Sequence, residues 1–439
     1  MRSVHLTNYY HKDSGGISTS YDHLLQVAEQ EERRVCLIVP GEKAAITDRG
    51  KYGRIYYIPA RRSPVFDRRY RLIMPWQYMI KPNLIREIMA KESPQMVEVG
   101  DKYALSIMGA MIRKNYFQKL GRPMLVHLSS ERMDDNMRAF ISSSEIARRL
   151  SRSFIRNYIL PSFDFHVANS EYTARELFDS KNVRPTRFGK FCDRFFKSID
   201  LRLSERVFVC TKGADIDGFS PDHRSAEARA AICRMSNIPE TSKILLYSGR
   251  ISPEKNIALL VDTMERLKEN GKYDFRLLIA GNGPLARWLS DRNPATGNKI
   301  VLLGHVDKRA LTDLYANADL YIHPNPREPF GISPLEAMAS GTAVVLPNRG
   351  GVLSYATTEN AWLSDPNQIA FANAVRTAMD KTPQRQKKIT AALKTVGEHS
   401  SQSATKNLFT VYDHMWEKFC RQVLPAVQRS GRSLRLGWQ

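Results

Sequence analysis

Short β-branched runs alternate with amphipathic stretches from one end of the chain to the other. The strand-like runs are VHLTNYY, RVCLIVP, MLVHLS, FHVANS, RVFVCT, KILLYSG, FRLLIAG, IVLLGHV, LYIHPN and TAVVLP. Between them, apolar residues three and four apart mark helices in YDHLLQVAEQ, EYTARELFD, NIALLVDTMERLKEN, RALTDLYANA and SPLEAMAS. This alternation predicts parallel sheets joined by crossover helices, a doubly wound α/β fold. The rhythm pauses at residues 213–238, which predicts a hinge between two halves of similar size. The closing stretch Leu408–Val427 predicts a long helix with an apolar stripe and no strand after it. Such a helix must bury its stripe on some other surface.

Composition narrows the class. A chain of 439 residues suits two or three domains, and 42% hydrophobic with 25% charged residues excludes wholesale disorder. No apolar run approaches a membrane-spanning length. The opening MRSVHLTNYYHK has His, Asn and Thr where a signal peptide needs apolar residues, so it reads as a first strand. Five scattered cysteines without C-x-x-C spacing argue against a disulfide framework or a zinc site and fit a reducing cytoplasm.

The net charge of +21 predicts a phosphate-bearing partner: nucleotide, anionic lipid or nucleic acid. Residues 51–122 concentrate it, with 15 basic and 5 acidic side chains interleaved with Tyr56, Tyr57, Phe66, Trp76, Tyr116 and Phe117. That segment reads either as a surface that docks on an anionic bilayer or as core with a wet basic rim. Charge alone also suggests nucleic-acid binding, but no helix-turn-helix, zinc or base-stacking motif accompanies it, and nucleic acid is not the expected partner.

Three stretches carry chemistry. Gly15 and Gly16 lie between the first strand and the first helix, where backbone amides can approach an anion or simply turn the chain. Ser248–Asn256 (SGRISPEKN) follows the strand KILLY, and Arg250 and Lys255 there could clamp a diphosphate at a strand's carboxyl end. The alternative is a solvated loop pairing Lys255 with Glu254. Glu328–Glu336 (EPFGISPLE) feeds a helix expected to begin near Pro334, with Glu336 in its first turn. A carboxylate there can accept two sugar hydroxyls, and the amides of Phe330, Gly331 and Ile332 are expected to face the same cleft. Glu336 could otherwise serve only the helix dipole, and Glu328 could be a surface acid.

These motifs, with LLIAGNGPL and LTDLYANADLYIHPN, resemble the retaining glycosyltransferases of family four over nearly the whole chain. The resemblance implies the GT-B fold: two doubly wound Rossmann-like domains facing across a cleft, with a C-terminal helix crossing back to the first. It implies an N-terminal acceptor-side domain at 1–215 plus about 411–439, and a donor-binding domain at 216–410. It gives Gly15 and Gly16 the donor phosphates, Arg250 and Lys255 the diphosphate, Glu328 the transferred sugar, Glu336 the ribose and Val306 a backbone contact to the base. His127 in MLVHLSSE falls where a family histidine lies beside the reacting carbon, so His127, Glu328, Arg250 and Lys255 form the implied catalytic set. Glu98-Val-Gly-Asp101 stands where relatives often carry a His-containing segment, and Asp101 is the acceptor-side candidate.

The resemblance also places Asp215-Ile-Asp217 in the interdomain segment, so it is not expected to bind metal. The expected activity is metal-independent, cofactor-free transfer from a UDP- or GDP-sugar to a membrane lipid or lipid-linked saccharide, at the inner face of the cytoplasmic membrane. A soluble acceptor, with the charge serving only to steer donor, is the alternative.

Overall fold

A computed structural model describes residues 1–11, 16–63, 70–80, 83–117, 120–140, 145–196, 201–215, 218–268, 272–380 and 382–425. The chain forms two compact units. One comprises Met1–Arg138, Ser142–Cys210 and Ala404–Gln439; the other comprises Ala139–Ile141 and Thr211–Ser403.

The first unit is built on β1 (Ser3–Leu6), β2 (Val35–Gly41), β3 (Ala45–Arg49), β4 (Gly53–Pro59), β5 (Met96–Val99), β6 (Met124–Ser129), β7 (Phe165–Ala168) and β8 (Val207–Val209). Their order across the sheet is β8-β7-β6-β5-β1-β2-β4-β3, parallel except for β3 against β4. The strand order reverses between β1 and β5, whose registers pair Ser3 with Met96 and Leu6 with Val99. Four residues of β1 and four of β5 are all buried, as befits strands covered by helices on both faces.

Inside this unit Asp164 is fully buried and holds two buried arginines. Arg122 reaches it at 2.6 and 2.9 Å and Arg113 at 2.9 Å, while Arg206 donates to its backbone carbonyl. Burial opposes the charge on Asp164, but Arg122 and Arg113 outweigh it and keep its carboxyl below the usual range. Arg113, Arg122 and Lys102 are therefore interior, and the basic surplus of 51–122 is not wholly a surface feature. Tyr56 and Phe117 are core as well, at 2% and 5% exposure, whereas Trp76 and Tyr116 stand 55% and 60% exposed. Phe66 lies outside the described residues.

The second unit carries β9 (Lys243–Ser248), β10 (Phe275–Ala280), β11 (Ile300–Gly304), β12 (Leu320–Ile322), β13 (Ala343–Pro347) and β14 (Trp362–Ser364). All pairs are parallel in the order β11-β10-β9-β12-β13-β14, so the reversal falls between β9 and β12. Ligands of open α/β sheets bind outside the carboxyl ends of strands at such a reversal.

The closing helix runs over Ser401–Lys418, beginning before the predicted Leu408 because Ser400 caps it through the amide of Ser403. Its buried Phe409, Tyr412 and Met415, continued by Phe419 and Val423 in the turn Phe419–Val423 that follows, join the core of the first unit. Tyr412 also donates to buried Glu98, whose other oxygen bonds His5 at 2.9 Å. Glu98 thus anchors this helix. Among the described residues, no helix is long and apolar enough to cross a membrane.

Candidate functional site

The loops after β9 and β12 meet where the second sheet's order reverses. Lys255 closes the short turn Pro253–Lys255 after β9, and Glu328 lies in the loop after β12. Their side chains form an ion pair, with Lys255 Nζ 2.9 and 3.1 Å from the two carboxylate oxygens. Glu328 Oε2 also accepts from Asn325 Nδ2 at 3.0 Å and lies 3.2 Å from His323 Nε2. Burial alone would neutralise Glu328, but Lys255 and His323 hold its carboxyl far below the usual range. Burial likewise opposes the charge on Lys255, and Glu328 reverses that effect. Both groups stay charged.

The surrounding backbone is close-packed. A Cβ on Gly281 would sit 1.9 Å from the carbonyl oxygen of Gly249, so the loop after β10 passes directly under SGRISPEKN. Asn256 Nδ2 donates to the carbonyl of Pro324 at 2.9 Å and ties the Lys255 turn to the Glu328 loop. Arg250 shares this loop; its guanidinium comes within 3.9 Å of Glu254. Glu254 therefore neighbours Arg250 and Ser252, and Lys255 pairs across the site with Glu328 rather than within its own loop.

The helix after Glu328 begins at Ile332, two residues earlier than Pro334. Its N-cap, Gly331, has φ +89° and ψ +85°, a left-handed conformation that favours glycine, and no side chain caps the helix. Phe330 turns its ring inward against Tyr355, and Tyr355 donates to the Gly331 carbonyl at 2.6 Å. Only the backbone of Phe330 is left to meet a ligand.

Glu336 falls in the second turn, so the dipole of the first turn does not explain it. It accepts a hydrogen bond from Tyr315 at 3.0 Å. Burial pushes its carboxyl up to about 7 against the opposing Tyr315 bond and Lys308. Tyr315 stands on the helix Lys308–Asn317, and half-buried Val306 lies between β11 and that helix. Lys308 pairs with Asp215; Asp217 is outside the described residues.

In the first unit, the carboxyl end of β5 brings Asp101 to the reversal between β1 and β5. Asn8, just past β1, donates to Asp101 at 2.8 Å, and the Tyr103 amide donates at 2.6 Å. Burial raises the Asp101 carboxyl to about 6, with Glu131 adding to the rise. Tyr9 donates to Glu131 at 3.3 Å. Gly16 opens the helix Gly16–Gln30, and Gly15 lies outside the described residues.

His127, the residue expected beside the reacting carbon, is placed in the interior of the first unit. It is 0% exposed in β6, paired in register with His166 of β7 and packed on Phe163. Burial, helped by nearby Lys102, keeps its imidazole neutral. His127 is thus a buried residue of the first unit. Lys102 instead is buried against Glu176 at 2.6 Å.

His323, Asn325, Tyr315, Asn8 and Glu131 were not singled out by sequence. The available signal for the first two was a pair of polar residues two apart, closing the otherwise apolar LYIHPN just before Glu328.

Comparison with known proteins bears on the family and the fold. Residues 229–395 match the family model described as glycosyl transferases group 1. Over 395 residues, covering 88% of this chain and 90% of the relative, the chain is 28% identical to a GDP-mannose-dependent alpha-(1-6)-phosphatidylinositol dimannoside mannosyltransferase of Mycobacterium tuberculosis. Its fold is similar to sucrose-phosphate synthase of Thermosynechococcus elongatus, with TM-score 0.70 and 17% identity over 95% of this chain and all of that one. It is also similar to Anabaena HepE in complex with UDP and glucose, with TM-score 0.67 and 15% identity over 94% of this chain and all of that one. The chain is a glycosyltransferase of the GT-B fold, like those of family four, with its group 1 domain at residues 229–395.

Proposed function

We propose that the chain transfers a sugar from a nucleotide diphosphate donor, with retention at the anomeric carbon, to a hydroxyl of a membrane lipid or lipid-linked saccharide. The observation that carries this reading is the Lys255–Glu328 pair at the reversal of the second sheet. Cleaving the donor leaves an oxocarbenium-like sugar and a diphosphate. Lys255, Arg250 and the amides opening the Ile332 helix face the growing negative charge, each well-placed group contributing about 3 kcal/mol. Glu328 keeps one oxygen fixed by His323 and Asn325, which leaves Oε1, bonded to Lys255, as the natural acceptor for a sugar hydroxyl. The departing phosphate oxygen is the nearest base for the acceptor, so attack comes from the same face. The resemblance to family four implies a further phosphate role for Gly15 and Gly16, of which Gly15 lies outside the described residues.

The mannosyltransferase relative supports GDP-mannose and a sugar-bearing lipid, and HepE keeps UDP-sugars in the donor panel. Asp101, Asn8, Tyr9 and Glu131 are the groups offered to acceptor hydroxyls. Among the described residues, the exposed members of 51–122 that could face an anionic bilayer include Arg61 and Arg62 with Trp76, Met79, Ile80 and Tyr116. Docking there would hold the enzyme at the inner face of the cytoplasmic membrane.

Metal independence is part of the proposal, with Lys255, Arg250 and backbone amides as the groups offered to the diphosphate. Turnover is expected to persist in excess EDTA. Complete loss, restored by magnesium or manganese, would overturn that part of the proposal.

Donor binding is expected to depend on pH through Glu336. An ionised carboxylate accepts ribose hydroxyls, whereas a protonated one does not accept at both oxygens. With its carboxyl near 7, donor affinity should rise as pH increases from about 6 to about 8. Glu336→Gln should flatten that profile, with affinity low throughout. An unchanged profile in the variant would remove Glu336 from the site.

A further inference from the structure

The helix Glu145–Phe154 in the first unit is inverted relative to an ordinary helix in water. Its buried positions are small, Ala147 at 6% exposure and Ser151 at 3%, while Ile146, Leu150 and Phe154 are 69%, 61% and 37% exposed. These three recur every four residues and form one stripe about 12 Å long. A surface helix normally turns its large apolar side chains inward. Cations edge the stripe: Arg148 and Arg149 are 50% and 80% exposed and share the single acid Glu145. Arg152 pairs instead with Asp179 and Asp134, which fastens the helix to its own unit. The neighbouring helix Glu171–Lys181 adds the partly exposed ring of Phe178.

We propose that this face lies in the interface of an anionic lipid bilayer, with Ile146, Leu150 and Phe154 below the headgroups and Arg148 and Arg149 at phosphate level. The inference rests on the membrane-acceptor reading above and names an inserting surface for it. Charge selects the occupant. A second copy of this chain would bring +21 against +21, and the chain's own final segment, RSGRSLRLGWQ, holds three arginines and no acid. An anionic bilayer supplies opposite charge and an apolar layer together.

The test uses the full chain sedimented with vesicles of phosphatidylglycerol and phosphatidylcholine. It is run at about 0.1 M and about 1 M salt, where the reach of exposed charges falls from about 10 Å to about 3 Å. Wild type should keep a salt-resistant bound fraction. Ile146→Ser/Leu150→Ser should lose that fraction by about tenfold or more, because apolar insertion is unscreened. Arg61→Ser/Arg62→Ser should retain it while weakening at low salt. Leu150→Lys alone, at an exposed position, provides a second variant, and thermal melts check that both variants fold. Salt-resistant binding equal to wild type in these variants would overturn the helix assignment and leave the membrane reading standing. Wild type remaining in the supernatant at both salts would overturn the two together.

Discussion

Lys255→Ala is expected to lower turnover by about 10²- to 10³-fold, the range seen when one preorganised charge-stabilising group is removed from an active site. Two effects act in the same direction. The leaving diphosphate loses a cation, and Glu328 loses the partner that outweighs its burial. With its carboxyl released upward, Glu328 accepts sugar hydroxyls less well at neutral pH. Arg250→Ala should act more weakly, since the proposal gives it the diphosphate alone, whereas Lys255 also pairs with Glu328. Steady-state kinetics on wild type and both variants checks this, and unchanged kcat/KM in Lys255→Ala would sink it.

The second large effect is on stability. Asp164→Ala is expected to destabilise the first unit by about 3–5 kcal/mol, because it strands buried Arg113 and Arg122 without their counter-charge. Asp164 has its folded carboxyl depressed below the unfolded value. The stability it contributes is therefore present above the ordinary carboxylate range and lost as pH falls below it. Urea unfolding at neutral pH, followed by a signal from the first unit, should show the earlier transition. The gap between variant and wild type should narrow in acid. A midpoint unchanged at neutral pH would contradict the interior ion cluster.

Much of the fold was legible because parallel strands buried on both faces read as plain apolar runs. KILLYS, FRLLIA and AVVLP became β9, β10 and β13. MVEV escaped because a short strand with a central glutamate looks polar, although that glutamate bonds His5 inside the unit. GRIYYIP escaped for a different reason: its arginine and tyrosines resembled a basic aromatic surface, yet Ile55, Tyr56 and Ile58 are core.

The loops carrying Arg250, Lys255 and Glu328 stood out through their spacing, since glycine, proline and acid in fixed order leave a local signature, and the structure brings Lys255 and Glu328 together. Groups that depend on distant partners did not show. Asp164 meets Arg113 and Arg122 only after the sheet assembles, and His323 has meaning only once Glu328 folds back to it. The depth of His127 did not show either, because a histidine in a strand run carries no sign of which face or depth it will take. The inverted helix Glu145–Phe154 was equally silent, since periodicity reports an apolar stripe but not the side on which the protein lies.

The central claim is that a nucleotide diphosphate sugar binds at the Arg250–Lys255 and Glu328 loops. Calorimetric titration of UDP-, GDP- and ADP-sugars into wild type and into the Arg250→Ala/Lys255→Ala variant tests it most directly. At least one donor should bind wild type in the presence of EDTA, and the same donor should bind the folded variant at least tenfold more weakly. A donor that binds both proteins equally, or a full panel that binds neither, would contradict the account.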